Sequence, residues 1–537
     1  MRVILLSLFV SSILVLSACG GGGGAAPVAA TPTPVVVKTC APVTSPGDPL
    51  YSDQWHLKNL GLPTGTAGED ANVESVWSEF CGLGITIAVI DDGLDIAHED
   101  LAANVVAGSK NYVNNTADPS SPAGSTDSHG TSVAGIAAAV GFNNIGVRGV
   151  APGAQLIGLN ALAKSDEAST NDAFIRGDIS NGSFGPIDNG LLHPTDALYR
   201  AAIEDGITNR RDGKGIIYFR PAGNGRGANP LSSDYSNYDG QVSHHGVNAI
   251  AALDDNGQQA SYSESGANVL ISTHSGEFCS TNTQTTVDVT GTAGANNAGT
   301  NAAGSDYVND NYTKCFNGTS GATPVAAGVA ALVLQANPNL TRRDVRLLLA
   351  RTARKNDPLD AGWTDNGASM PVNHKYGFGA IDAAAAVAAA KSWTLLAVQK
   401  TPETSSSGAI AIAIPDSPSS GTFGTAATND LTIAASSISQ VEFVEVTFAS
   451  NHSFWNDLEI TLTSPSGTKS VLAETHFKDR KDTIIAPIGN EYVNGFTFGS
   501  VRHTDEIATG DWQISVRDGG PSDEGNITSW SIKIYGR

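Results

Sequence analysis

Residues 85–93 read Ile85-Thr86-Ile87-Ala88-Val89-Ile90-Asp91-Asp92-Gly93. An uncharged run rich in β-branched side chains, halted by an Asp-Asp-Gly turn, predicts a strand buried on both faces. Gly215-Ile216-Ile217-Tyr218-Phe219 repeats the pattern. Among these runs lie helix-like stretches at 131–140, 323–336, 341–353 and 380–391. Strands alternating with helices define an α/β fold around a parallel sheet, spanning residues 48–398. At 402–407 the texture turns to Pro, Ser and Thr. Beyond it only short strand candidates remain, at 440–448, 458–463, 512–518 and 530–535, separated by turns such as Ser464-Pro465-Ser466-Gly467 and Asp518-Gly519-Gly520. Residues 399–537 therefore read as an all-β sandwich. The Gly-, Ala- and Asn-rich stretch 291–306 reads as a long surface loop.

Three polar segments sit where such a fold places chemistry. Ile90-Asp91-Asp92-Gly93 closes a strand. His129-Gly130-Thr131-Ser132 and Gly318-Thr319-Ser320-Gly321-Ala322-Thr323-Pro324 each open a helix. A serine hydroxyl is a poor nucleophile until an imidazole takes its proton, and the imidazole needs a carboxylate to fix its tautomer. A serine at a helix N-terminus also lies beside free backbone N–H groups that favour developing negative charge. Open α/β sheets gather such residues at the carboxyl ends of their strands. Taken singly, Asp91 is a turn residue, His129 one of 11 histidines and Ser320 a small packing residue. Together they are a far more specific signal, the residue set a nucleophilic triad needs. Pro221-Ala222-Gly223-Asn224-Gly225 follows the second apolar run and offers an amide donor.

This quartet resembles the subtilisin-like serine proteases, whose chain order is Asp–His–Ser. The resemblance implies catalytic roles for Asp91, His129 and Ser320, and an oxyanion role for Asn224. Asp92 after Asp91, together with Ser183-Phe184-Gly185-Pro186, resembles the kexin and furin branch. It implies that Ser183, Phe184 and Gly185 form a substrate-binding edge, and that Asp188 and Asp239 floor a pocket for a basic side chain. It further implies that Asp92 and Asp127 line the neighbouring subsite. A buried carboxylate selects Lys or Arg because a neutral side chain would leave that charge unpaired. Ile175 and Pro194 stand where furin carries acids, so a dibasic preference is expected rather than a need for a distant Arg. Two calcium sites are implied: Asp48, Asp100 and Asn143 with carbonyls of Val140, Ile145 and Val147, and Asp188 with Asp234 and Glu264. Residues 399–537 resemble the jelly-roll P domain of this branch through Trp455-Asn456-Asp457-Leu458, Gly510-Asp511-Trp512 and Trp530-Ser531-Ile532-Lys533. The expected function is a calcium-stabilised serine endopeptidase acting on proteins or peptides after basic, dibasic sites. Two other readings are a surface-displayed binding lipoprotein that keeps the fold without activity, and a subtilase of broad specificity.

The 537 residues carry 31 Lys+Arg against 53 Asp+Glu, a net charge of −22, which argues against nucleic-acid binding. After Arg2, an apolar run over 3–15 is too short to cross a ~30 Å bilayer core but suits a signal peptide over 1–18. Leu16-Ser17-Ala18-Cys19 resembles a lipobox, so lipidation of Cys19, a membrane anchor and a tether over 19–47 are expected. By resemblance to the sorting pattern of lipoproteins, Gly20 rather than Asp after the cysteine implies the outer membrane or cell surface, with the protein retained or released. Cys40, Cys81, Cys279 and Cys315 allow three disulfide connectivities, of which sequence proximity favours Cys40–Cys81 and Cys279–Cys315. Only 28 tether residues lie between Cys19 and Asp48 where subtilases carry a folded propeptide, so either the chain folds unaided or a chaperone acts in trans, and the second is the expectation.

Overall fold

The computed structural model describes residues 40, 47–61, 64–121, 126–164, 166–227, 233–279, 282–292, 294–296, 306–419, 421–475 and 492–537. The signal peptide, Cys19, most of the tether and most of the 291–306 loop lie outside these residues. Seven strands form the first sheet: β1 (Thr86–Asp91), β2 (Lys110–Asn111), β3 (Gln155–Asn160), β4 (Ile179–Asn181), β5 (Ile217–Pro221), β6 (Val247–Leu253) and β7 (Val269–His274). Their order is β2-β3-β1-β4-β5-β6-β7, and every pairing is parallel. Parallel strands covered on both faces need apolar side chains throughout, and from Ile87 to Asp91 β1 is wholly buried. The chain winds one way from β1 to β3 and the other way from β4 onward. The crevice between β1 and β4 is thus the topological switch point, with Asp91 at its mouth as the last residue of β1.

Helices α1 (His129–Ala138), α2 (Glu167–Phe174), α3 (Ala197–Asn209), α4 (Thr319–Ala336), α5 (Arg342–Thr352) and α6 (Ala383–Lys391) surround this sheet. Helix α4 is long and apolar and is buried along almost its whole length, as the central helix of the core. It begins at Thr319, four residues ahead of the expected 323, and so takes Pro324 into its interior. Proline has no N–H to give to the carbonyl four residues back, which here is that of Ser320. The Ser183 hydroxyl donates to that carbonyl at 3.1 Å and makes good the lost bond. Strands β8 (Gln284–Val287) and β9 (Tyr312–Phe316) form an antiparallel pair beside α1, and β10 (Thr364–Asp365) and β11 (Pro371–Val372) a small hairpin. The disulfides are Cys40–Cys81 and Cys279–Cys315.

From residue 403 every strand pairing among the described residues is antiparallel. One sheet runs β12 (Glu403–Ser406), β20 (Gly525–Gly536), β15 (Val441–Ser450), β18 (Phe496–Ser500), with β13 (Ile412–Ile414) also on β20. The other runs β14 (Ala427–Ile433), β19 (Gly510–Asp518), β16 (Leu458–Thr463), β17 (Lys469–Ala473). Alternate residues of β16 and β19 are buried, and Trp512 and Trp530 fill the space between the sheets. The sandwich core continues into the α/β part through Leu192, Tyr238 and Ala267. Arg343 holds Glu442 through two bonds of 2.5 and 2.7 Å across the same seam.

Candidate active site

Asp91 ends β1 and is 1% exposed. Its Oδ1 lies 2.9 Å from Nδ1 of His129, the first residue of α1. Gly130 makes the approach possible: a Cβ there would meet the Gly93 carbonyl and sit 2.6 Å from Asp91 Cβ. The carboxylate fixes the ring with Nδ1 protonated and leaves Nε2 as the acceptor nitrogen. Burial opposes the imidazolium, but the charge and hydrogen bond of Asp91, with Asp92 behind, raise its pKa to about 8. Asp92 accepts the backbone N–H of Gly130 at 2.8 Å and of His129 at 3.3 Å. Desolvation and the neighbouring Asp91 raise its own pKa to about 6.

Ser320 is the second residue of α4, and Gly318 at the N-cap takes φ +82°, a left-handed value open to glycine. The Ser320 hydroxyl donates to the Ser183 carbonyl at 3.1 Å, and in this rotamer it makes no hydrogen bond to His129. Asn224 follows β5. Its Oδ1 accepts from the Thr319 backbone N–H at 2.8 Å and the Thr319 hydroxyl at 2.9 Å. That fixes the amide with Nδ2 turned away from Thr319, and no described residue takes a hydrogen bond from it.

One pocket is lined by Phe184, Gly185, Asp188, Asn224, Asp234, Asp239, Glu264 and Ser320, so the expected edge and both floor acids meet beside the serine. Asp239 receives the Gln241 backbone N–H on Oδ1 at 2.7 Å, and burial pushes its pKa up to about 6. Its Oδ2 lies 3.6 Å from where a Cβ on Gly185 would stand. Ser183 accepts from Asn181 at 3.0 Å and braces Ser320 through the bond already described. Asp127 is exposed two residues before His129. One residue that sequence reasoning missed sits behind the pocket. Arg220, 1% exposed, interrupts the apolar strand β5 and lies 3.8 Å over the Phe184 ring. An arginine inside an otherwise apolar strand was the available signal.

The two expected calcium sets both fit a hard cation, with different charge. Asp188, Asp234 and Glu264 offer oxygens within 4.8 Å of one another. Burial first, then Asp234 and Asp188, push the Glu264 pKa well above the carboxylate range. Three carboxylates crowded this way call for a cation. In the other set the carbonyls of Val140, Ile145 and Val147 accept no hydrogen bond from described residues, as carbonyls facing an ion would not. Asp100 is half-satisfied, by Asn143 Nδ2 and the Val147 N–H at 2.8 Å each. Asp48 is already paired with Arg148 at 2.8 Å, both buried, and that guanidinium lies 3.8 Å over Phe142 and 4.2 Å over Tyr51. Arg148 therefore cancels one of the charges an ion would meet.

Comparison with known proteins matches residues 82–379 to the subtilase family and residues 441–534 to the proprotein convertase P-domain. The chain belongs to the subtilase family: a subtilisin-like α/β domain followed by a P domain. A PC3-like endoprotease of Hydra vulgaris is 34% identical over 491 residues, 89% of this chain but 64% of the relative's length. A calcium-dependent protease of Nostoc is 33% identical over 90% of this chain and 71% of its own, and kexin of Saccharomyces cerevisiae 33% over 93% and 58%. The serine protease of Aeromonas sobria, solved alone and in complex with its chaperone, superposes with a TM-score of 0.81 at 28% identity, covering 92% of this chain and 96% of that one.

Proposed function

We propose that this chain is a calcium-stabilised serine endopeptidase that cuts after basic residues, preferring paired ones. The observation that carries the reading is the sharing of one pocket by Asp188, Asp239, Asn224 and Ser320. A basic side chain entering it meets carboxylates and sets its own carbonyl beside the serine. The mechanism requires a rotation about χ1 that brings the Ser320 hydroxyl from the Ser183 carbonyl to His129 Nε2. The oxygen attacks the scissile carbonyl as its proton passes to Nε2, and Asp91 stabilises the resulting imidazolium. The oxyanion receives Asn224 Nδ2 and backbone N–H groups at the start of α4; one such amide donor is worth about 2.7–4 kcal/mol of barrier. His129 then protonates the leaving amine, and water repeats the sequence to free the acid.

Formally, the four pocket acids Asp188, Asp234, Asp239 and Glu264 face the single charge of Arg220. A calcium ion held by Asp188, Asp234 and Glu264 supplies fixed positive charge there and leaves one negative charge for the substrate. A second ion at Asp48, Asp100, Asn143 and the three carbonyls stiffens the N-terminal loop. Asp92 and Asp127 favour a second basic residue. Export to the outer membrane or cell surface through lipidated Cys19 fits the two disulfides, which need an oxidising compartment. The likeness to the chaperone-bound Aeromonas protease supports a chaperone partner in trans. The test is kcat/KM on peptides ending in Lys-Arg, Ala-Arg and Ala-Phe. The basic ends should be preferred, and Ser320→Ala should abolish turnover. Indifference to the peptide's end would favour the broad-specificity reading, and proteolysis surviving Ser320→Ala would end the proposal.

A further inference from the structure

Two cavities meet at Ser320. The acidic pocket already described and a second cavity of about 590 Å³ share Ser320 and Asn224 and no other residue. If the acidic pocket takes the acyl side of the cut, the second cavity lies where the leaving side of the peptide must pass. Its charge is of the opposite kind. Asp188, Asp234, Asp239 and Glu264 line the first, whereas Arg226 is the only formal charge on the wall of the second. Arg226 is half-buried. Its Nη1 gives one long bond of 3.5 Å to the Ala260 carbonyl, and it pairs with no carboxylate among the described residues. Glu277 is engaged elsewhere: its carboxylate accepts the Ser261 N–H at 2.7 Å and the Ser261 hydroxyl at 2.5 Å. Phe278 lines the same cavity and is 58% exposed.

This wall is braced to the turn that carries the serine. The Phe278 ring meets the Tyr262 ring edge-on at 5.7 Å. The Tyr262 hydroxyl donates to the Gly276 carbonyl at 2.6 Å and accepts the Gly318 N–H at 2.9 Å, two residues before Ser320. The Cys279–Cys315 bridge ties down the chain directly after Phe278. An exposed aromatic face and an unpaired guanidinium on one braced wall suit a side chain with an apolar stem and a carboxylate end. We propose that this cavity selects an acidic residue, glutamate above all, within the first two positions after the cut, with Arg226 and Phe278 as the specificity-determining residues. The proposal rests on the serine-endopeptidase reading and deepens it. The substrate is read as basic before the cut and acidic after it. A further basic residue on the leaving side meets Arg226, so in a run of basic residues the cut falls after the last one.

The full chain in saturating calcium is given quenched fluorescent peptides with Lys-Arg before the cut and Glu, Gln or Lys at the first or second position after it. A Lys-Arg aminocoumarin amide, which has no residue on the leaving side, is run beside them. At one of the two positions kcat/KM for Glu should exceed that for Gln by roughly 3- to 5-fold, the upper range for a solvent-facing ion pair, with Lys lowest. Arg226→Glu should reverse the order and place Lys above Glu, a change of sign that damage to the fold does not produce. Should that variant fold poorly, raising NaCl from about 0.05 to 0.5 M with the unaltered chain should shrink the Glu-over-Gln ratio toward one. Equal rates for Glu, Gln and Lys, or an order that neither Arg226→Glu nor salt moves, would overturn this inference while cleavage after Lys-Arg left the endopeptidase reading standing. Turnover of none of the peptides nor of the amide would end that reading, and this inference with it.

Discussion

Asp239→Asn isolates the pocket's charge from its shape. Asn keeps the acceptor that Gln241 N–H uses at 2.7 Å, and it leaves the Asp188, Asp234 and Glu264 cluster intact. What disappears is one carboxylate charge facing the substrate's guanidinium or ammonium. At ~4 Å and an effective dielectric near 20, such a pair interacts by about 4 kcal/mol. Arg220 behind the pocket already offsets part of Asp239's charge, and desolvation of the incoming cation takes back more. A net loss of about 1–3 kcal/mol remains, or roughly 5- to 150-fold in kcat/KM for a Lys-Arg peptide. An Ala-Phe peptide makes no use of the charge and should change less than about threefold. The assay is initial-rate hydrolysis of the two peptides by both proteins in saturating calcium. Equal losses on both peptides would mean that Asp239 serves the fold and not selectivity, and the pocket reading would fail.

The base must be neutral to act, so with His129 raised to about 8 the kcat/KM profile should climb with pH and reach half its plateau near 8. Asp92→Asn removes one of the charges that raise it, and a pH–rate series should show the midpoint moving down. Graded chelation should release one calcium before the other, since Arg148 cancels a charge at the Asp48 set while the Glu264 set keeps three carboxylates. Metal content followed beside kcat/KM should show activity on basic peptides falling with the second ion. Arg343→Ala leaves Glu442 buried with Arg537 as its remaining partner at 3.1 Å. It should cost about 2–4 kcal/mol, measured by denaturant unfolding.

The places of Asp91, His129 and Ser320 in the fold are legible because each sits inside a short contiguous segment with its own turn or cap chemistry. Asp91, His129 and Ser320 are far apart in sequence, yet the period-free apolar strand and the two helix starts fix where each must lie. The start of α4 is not legible in the same way, because Pro324 normally opens a helix and here lies inside one. The compensating bond comes from Ser183, 137 residues away, which no local pattern shows. Arg148 is hidden from sequence reading for the same reason. A buried cation looks like any surface arginine until the distant group that holds it is known, and Asp48 lies 100 residues from Arg148. Helices α2 and α3 have weak apolar periodicity, and their clearest marks are the caps Asp166 and Asp196, which accept from Ser169 and Tyr199 N–H.

The sandwich does more than cover an apolar face, because its contacts end on the segment that carries Asp239. Asn237 donates to the Gly499 carbonyl at 2.7 Å and accepts the Ala267 N–H at 2.6 Å. Tyr238, 1% exposed, donates to the Glu474 carbonyl at 2.6 Å and packs edge-on against Trp455 at 6.0 Å. The residue after Tyr238 is the pocket acid. Without the sandwich, Tyr238 and Leu192 would face water and the short 3-10 turn at Ser236–Tyr238 would lose both anchors. The triad has no such dependence, since Asp91, His129 and Ser320 stand on the sheet and its own helices. On the proposed mechanism, a lesion at the seam should therefore alter the choice of substrate, through the position of Asp239, before it disturbs Asp91, His129 and Ser320.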